Sequence, residues 1–263
     1  MYALPLAAIL VSLATANPSQ ESEVEEVTPA DVKRFIDPTR LINSLDYNFT
    51  ASFLPGDLKL YSHTLSPVWA LSDWTAVWAD IPYSHFSFPE EQAPSGVGDV
   101  VMGWGAIIHE DLTRRYTSTV GFVEVRAPTG SAEKGTGFDR WVLSPGVAFA
   151  LNPTDLFPIF VRGQYSHSTG GEAGRPVRLV QLSVNTAHIL PKGFYVSAVP
   201  VFVFDLDQDT NLFSLGLGGG RAITRNFAWS AAYLHHVAGS QTFSQAFTVG
   251  LSFIWGEERV AGQ

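Results

Sequence analysis

Residues Phe243 to Trp255 alternate with period two, and the way they alternate narrows the possible folds. Phe243, Phe247, Val249, Leu251, Phe253 and Trp255 fall on one face, and Ser244, Ala246, Thr248, Gly250 and Ser252 on the other. Successive side chains of an extended strand point to opposite sides, so this is a strand with one apolar face and one small, weakly polar face. The pattern recurs. Leu45, Tyr47, Phe49, Ala51 and Phe53 oppose Ser44, Asp46, Asn48, Thr50 and Ser52. Trp141, Leu143, Val147, Phe149 and Leu151 oppose Ser144, Gly146, Ala148 and Ala150. Phe157, Ile159, Val161 and Tyr165 oppose Arg162, Gln164 and Ser166, while Phe227, Trp229, Ala231 and Tyr233 oppose Ala228, Ser230 and Ala232.

Two architectures produce such strands. In a soluble sandwich or lipocalin-like barrel the apolar face lines the core, and the other face meets water and carries Lys, Glu and Asp. In a transmembrane barrel the apolar face meets lipid and the small polar face lines the interior. Only 16% of the 263 residues are charged, against about 25% in an average soluble domain, and the second face is Ser, Thr, Gly and Ala. The sequence therefore predicts an all-β, antiparallel transmembrane β-barrel. Aromatics at segment ends, such as Tyr83, Trp141, Phe227, Tyr233 and Trp255, suit interfacial girdles.

Twelve segments fit the pattern: 43–54, 57–70, 74–83, 97–109, 114–127, 138–151, 157–168, 176–190, 193–205, 210–222, 225–237 and 243–255. Their lengths suit tilted spanning strands of about 9–11 residues. Such barrels place both termini in the periplasm, with short turns there and longer loops outside. Connections 84–96, 128–137 and 169–175 are long and rich in Gly, Pro and Ser, whereas 71–73, 110–113, 152–156, 191–192 and 223–224 are short. The Pro55-Gly56 turn is the exception on the long side.

The flanking segments predict an exported chain. Leu4 to Ala16 is an apolar run ending in Ala14-Thr15-Ala16, read as a signal peptide over residues 1–16. Residues 17–42 form an acidic tail, with Glu21, Glu23, Glu25 and Glu26, and then a short helix. Asp31 is the expected cap, Val32, Phe35 and Ile36 share a face, and Asp37-Pro38 ends the helix. The barrel occupies 43–255, and 256–263 is a tail. Thr248 to Trp255 has the polar residue, Gly and alternating aromatics with which outer-membrane barrels commonly address the barrel-assembly machinery. The expected location is the Gram-negative outer membrane, in contact with its lipid. Net charge of −9 argues against nucleic acid as a partner. The absence of Cys excludes disulfides and thiolate metal sites.

Several short stretches resemble the outer-membrane proteins of the phenol meta-pathway family, often labelled transporters. They are Asp37-Pro38-Thr39, Gly98-Asp99-Val100, Ala127-Pro128-Thr129-Gly130, Leu190-Pro191-Lys192-Gly193-Phe194-Tyr195 and Leu215-Gly216-Leu217-Gly218-Gly219-Gly220-Arg221. The resemblance implies an outer-membrane barrel that passes small molecules, often hydrophobic or aromatic, and it implies no catalytic residue and no cofactor.

Charged and amide side chains on the small-residue face are the candidate lumen-lining residues: Asp46, Asn48, Asp80, Glu124, Arg126, Arg162 and Gln164. A cation on a lipid face costs about 2–4 kcal/mol at the bilayer midplane, so these should point inward. There they either shape a charge-selective path or pair with one another and fill the lumen, and a twelve-stranded barrel lies between the filled and the open sizes. Passive diffusion of a small solute is the leading expectation, and a closed structural barrel is one alternative. A lipid hydrolase is the other, because outer-membrane hydrolases use His and Ser near the outer rim. Tyr165-Ser166-His167-Ser168 offers those residue types, but Thr169-Gly170 follows where those enzymes, with His-x-Ser-Asn, carry Ser-Asn. No metal site is expected. His235 and His236 are adjacent on a strand and point apart. Asp205, Asp207 and Asp209 could hold Ca²⁺ or bridge lipopolysaccharide cations, but a solvated loop accounts for them better. Gly216 to Gly220 lacks the following helix of a dinucleotide loop.

Overall fold

In a computed structural model, the described residues are 26–87, 94–111, 117–169, 176–240 and 243–256. The signal-peptide segment, tail residues 17–25, most of loop 169–175 and residues 257–263 lie outside them.

The strands are β1 (Ser44–Phe53), β2 (Lys59–Ser72), β3 (Thr75–Ser87), β4 (Ser95–Val97), β5 (Val101–Asp111), β6 (Thr117–Arg126), β7 (Trp141–Thr154), β8 (Phe157–Thr169), β9 (Arg178–Ile189), β10 (Phe194–Asp205), β11 (Thr210–Ala222), β12 (Phe227–Gly239) and β13 (Gln245–Ile254). Each pairs antiparallel with its sequence neighbour, except that β3 pairs with β5 as well as with β4, and β4 pairs with β3 alone. The first and last strands pair from Ser44↔Ile254 to Phe53↔Gln245, which closes the sheet. The result is a closed barrel of twelve antiparallel wall strands with β4 as a short flap on β3. Wall-strand bounds lie within four residues of those read from the periodicity.

One expected strand is divided. The segment expected from residue 97 starts as β4, leaves the ladder at Gly98-Asp99-Val100, and resumes as β5. The cause is Asp99, whose buried carboxylate accepts from the Gly130 N–H at 3.0 Å. Thr129 Oγ1 adds to the clasp, accepting from Val100 N at 2.9 Å and donating to Gly98 O at 2.8 Å. Backbone that would otherwise continue the ladder is held by connection 127–140.

The exposure pattern decides which face is outside. On β13, Phe247, Val249, Leu251 and Phe253 are 44–51% exposed, whereas Ala246 and Ile254 on the other face are 7% and 2% exposed. Trp141, Leu143, Phe149 and Leu151 on β7 are likewise exposed, opposite buried Val142, Ser144, Ala148 and Ala150. The apolar faces form the outer surface of the barrel, and the small and polar faces line its interior.

Both chain ends reach the barrel at one rim, called here the terminus end, with the turns after β2, β7, β9 and β11. At the opposite rim, the loop end, lie connection 127–140, the ends of β3 and β8, and the starts of β5 and β9.

The helix α1 (Pro29–Ile36) sits against the terminus end. Its cap is Thr28 and not Asp31. The Thr28 hydroxyl accepts from Asp31 N, and the Asp31 carboxylate accepts from Thr28 N at 2.9 Å. This is a reciprocal capping box, and Pro29 at the first turn has no N–H to leave unsatisfied. Val32 is fully buried against Ile189, Ala222 and Ala228, with Val27, Phe35, Ile36 and Tyr195 packed around it. Polar contacts fix the helix to two turns: Lys33 to Asp155 at 3.5 Å, Asp31 to Arg225 at 3.8 Å, and the Arg34 guanidinium donating to Arg225 O at 3.3 Å.

Candidate functional site

The inward faces of β1, β2, β3 and β6 to β8, together with residues 34–42, enclose a cavity of about 350 Å³. The barrel supplies Asp46, Val68, Trp78, Asp80, Phe122, Glu124 and Arg162 to it, and the N-terminal segment supplies Arg34, Phe35, Asp37, Arg40 and Leu41. The segment that precedes the barrel thus forms part of the cavity wall.

Glu124 is the centre of the polar side. Its Oε1 accepts from Arg162 Nη2 at 2.8 Å and from Trp78 Nε1 at 3.3 Å, and its Oε2 accepts from Gln164 Nε2 at 2.9 Å. Arg162 Nη2 also donates to Gln164 Oε1 at 3.0 Å. Charge-assisted bonds of this kind are shorter and about twice as strong as neutral ones, so the four side chains hold each other in place. Glu124 projects from β6, and Arg162 and Gln164 project from β8. They can meet because β7, between them, presents the small residues Ser144, Gly146 and Ala148 inward at that level.

The same principle places the aromatics. Trp78 on β3 and Phe122 on β6 approach edge to face, with centroids 6.3 Å apart. The intervening β5 has Gly103 under the indole, where a Cβ would stand 2.0 Å from Cε2. Phe122 lies in the same way over Gly146 of β7, at 2.3 Å from a hypothetical Cβ. The Arg162 guanidinium lies over the same ring, 4.5 Å from its centroid, a cation–π contact. Glycines on the floor strands let large side chains lie flat across the interior instead of standing into it.

The remaining predicted lumen residues are more dispersed. Asp46 on β1 accepts from the Ser44 hydroxyl at 3.2 Å, and Asp80 on β3 faces the same cavity. Asn48 lies over Gly250 of β13, away from the Glu124 group. Arg126, two residues from Glu124 on the same face, stacks on Phe138 of connection 127–140 at 5.1 Å. Glu124 pairs with Arg162, not with its strand neighbour.

Four carboxylates (Asp37, Asp46, Asp80, Glu124) and three guanidiniums (Arg34, Arg40, Arg162) border the cavity, so its charge is nearly balanced. Asp37 is buried, and burial pushes its carboxyl above the ordinary value of 3.8. The Thr39 N–H and hydroxyl, which donate to Asp37 Oδ1 at 2.8 and 2.7 Å, oppose that rise, as do Arg40 and Lys33.

The weaker chemical candidates resolve into structural contacts. His167 pairs with outward Leu143 and stacks on Tyr165, while Ser168 is buried on the inner face and accepts from Val177 N at 2.9 Å. The two do not form a nucleophile–base pair. His235 and His236 lie opposite Leu215 and Ser214 and face opposite sides of β12. Asp205 accepts from the N–H groups of Asp207 and Gln208 at 3.0 and 3.1 Å, and Asp207 binds Arg178 at 2.6 Å. These carboxylates are used in closing the hairpin.

Trp78 and Phe122 are the residues that periodicity alone did not single out. The signal was present: Phe122 is two residues before Glu124 on one face, and Gly103, Gly105 and Gly146 mark neighbouring strands that lack inward side chains.

No protein-family model and no curated protein matches the chain. Solved structures do. An outer membrane channel from Pseudomonas putida F1 superposes with a TM-score of 0.65 at 14% identity, covering 81% of this chain and 94% of that one. The KdgM porin gives 0.59 at 9% identity, covering 81% and 99%. The NanC porin gives 0.58 at 9% identity, covering 81% and 100%. At these identities the likeness is one of fold: this chain folds as outer-membrane channels and porins do.

Proposed function

We propose that the protein is an outer-membrane barrel that passes small solutes by passive diffusion, with hydrophobic or aromatic molecules among them. The observation that carries this reading is the interior cavity, where the Trp78 and Phe122 rings lie beside the Glu124–Arg162–Gln164 group. An apolar ring finds aromatic surface there, and a polar substituent finds fixed donors and acceptors. The outward apolar faces support residence in lipid, and the C-terminal strand supports delivery by the barrel-assembly machinery. The terminus end is then periplasmic and the long connections external. The resemblance to the phenol meta-pathway family favours aromatic solutes. The separation of His167 from Ser168 disfavours hydrolysis at that place.

Single-channel conductance of the refolded protein from Asn17 onward, in a planar bilayer, tests this. Steady small currents are expected, larger ones after removal of residues 17–42, and a reduction of current by a small aromatic solute. Silence of both forms, with the protein inserted and folded, would refute the channel.

A further inference from the structure

Six of the seven histidines face outward, each within four residues of an end of its own strand. His109 and His188 lie near the terminus end of their strands. The other four lie near the loop end. His63 is four residues from the start of β2, His85 two from the end of β3, His167 two from the end of β8, and His235 four from the end of β12. Their cross-strand partners set the direction: His63 opposes exposed Tyr83, His85 opposes Tyr61, His167 opposes exposed Leu143, and His235 opposes Gln245.

Each of these four imidazoles has a tyrosine beside it. Tyr47 Oη is 2.7 Å from His63 Nδ1, and Tyr61 stacks on His85 at 4.9 Å. Tyr165 stacks on His167 at 6.4 Å and Tyr233 on His235 at 6.1 Å. Two basic residues stand at the outer edge of this zone, one of them with its charge balanced by a carboxylate. Lys59 opens β2 with its ammonium 5.8 Å over Phe53, and Arg178 opens β9 directly opposite His167 and binds Asp207. Aromatic residues alone would make an ordinary interfacial girdle. This band adds imidazole N–H donors and the Lys59 ammonium where the apolar wall gives way to the loops.

From this juxtaposition we infer that the loop-side collar of His63, His85, His167 and His235, with Lys59 and Arg178, is a binding belt for phosphate-bearing lipid headgroups of the surrounding leaflet. The inference rests on the reading of the chain as a membrane barrel. Acyl chains lie along the outward Leu, Val and Phe faces, and the phosphates end among the imidazole N–H groups and the Lys59 ammonium. Charge complementarity selects the occupant. A basic side chain near a bilayer surface attracts an anionic lipid by about 1 kcal/mol, and the tyrosine rings hold the imidazoles against the wall so that little freedom is lost on contact.

The test is lipid retention. The full mature chain is refolded into vesicles of phosphatidylcholine containing a minority of phosphatidic acid, then extracted in mild detergent, and the retained lipid is quantified by mass spectrometry. Phosphatidic acid should be enriched about fivefold over its bulk fraction, the ratio that 1 kcal/mol gives. The enrichment should fall toward unity in a variant carrying K59Q with H63F, H85F, H167F and H235F, which removes the ammonium and the imidazole N–H groups and keeps the ring stacks. A milder H85F/H235F variant should fall part of the way. Equal enrichment in wild type and both variants, or none in folded wild type, overturns the belt. Inorganic phosphate that abolished the enrichment at millimolar concentration would overturn the choice of a lipid over a free anion. Protein that stays outside the vesicles and migrates as an unfolded chain overturns the membrane reading itself, a result distinguishable from loss of enrichment in inserted protein.

Discussion

Asp99 and Phe138 are 39 residues apart in sequence and are joined by a 2.8 Å hydrogen bond from the Phe138 N–H to Asp99 Oδ2. With the bond to Gly130 N, one carboxylate ties both ends of connection 127–140 to the start of β5. Bonds to a charged acceptor are worth about 1.5–3 kcal/mol each. Asp99→Ala should therefore free the loop, and trypsin should cut after exposed Lys134 at least about tenfold faster than in wild type, since 1.4 kcal/mol is a factor of ten in the open population. Unchanged cleavage would show that the clasp is not what orders the loop.

Gly103→Ala should displace the indole of Trp78. An added Cβ has 2.0 Å to Cε2, and the ring must move off β5 and lose its bond to Glu124. Overpacking of this kind costs about 1–3 kcal/mol. A lowered temperature for the folded-to-unfolded band shift on gels, together with a shifted tryptophan emission, is the expected result.

Glu124 and Arg162 carry opposite charge into the interior, so their removal should move ion selectivity in opposite directions. Glu124→Gln leaves Arg162 without its carboxylate and should favour anions. Arg162→Gln should favour cations. Reversal potentials in a salt gradient read both. Because the Arg162 side chain is about a third exposed, the stability loss in either variant should be modest, about 1 kcal/mol after solvent screening. Shifts of the same sign would contradict the placement of the pair on the conduction path.

Val32→Asp should unseat the N-terminal segment. It puts an unpaired carboxylate among Ile189, Ala222 and Ala228, at a desolvation cost of several kcal/mol. Conductance should rise toward that of the chain lacking residues 17–42, while the barrel itself stays heat-stable.

The seat of this segment should also depend on pH through Asp37. Its carboxyl is raised above 3.8 by burial, so the folded form binds the proton more tightly than the free segment does. The resulting stabilisation is fully present below 3.8 and is lost as pH rises through the raised value. Conductance should therefore increase over that interval and level off above it, and Asp37→Asn should flatten the profile.

The wall of the barrel is legible in the sequence because lipid and lumen ask for different residues at alternate positions. β11 spans Thr210–Ala222, the very bounds its alternation suggests. What escapes is whatever depends on register between strands. Nothing local tells that Glu124 will meet Arg162 and Gln164 across β7 while Arg126, on the same face, goes to Phe138. The break at Gly98-Asp99-Val100 comes from a partner some thirty residues away, and Thr28 takes the cap from Asp31 because the capping box uses both. Trp78 and Phe122 hide because an aromatic on an alternating strand is read as outward until the glycines across from it are noticed.

The seam between β1 and β13 has a consequence for how the molecule comes into being. Hydrogen bonds that close the wall join residues about two hundred positions apart, so no shorter barrel exists along the way. Until the ten residues of β13 arrive, the sheet keeps two raw edges open to any passing strand. Those edges therefore have to be kept from other chains until β13 pairs with β1, and the pairing that completes the wall is also the one that ends the exposure.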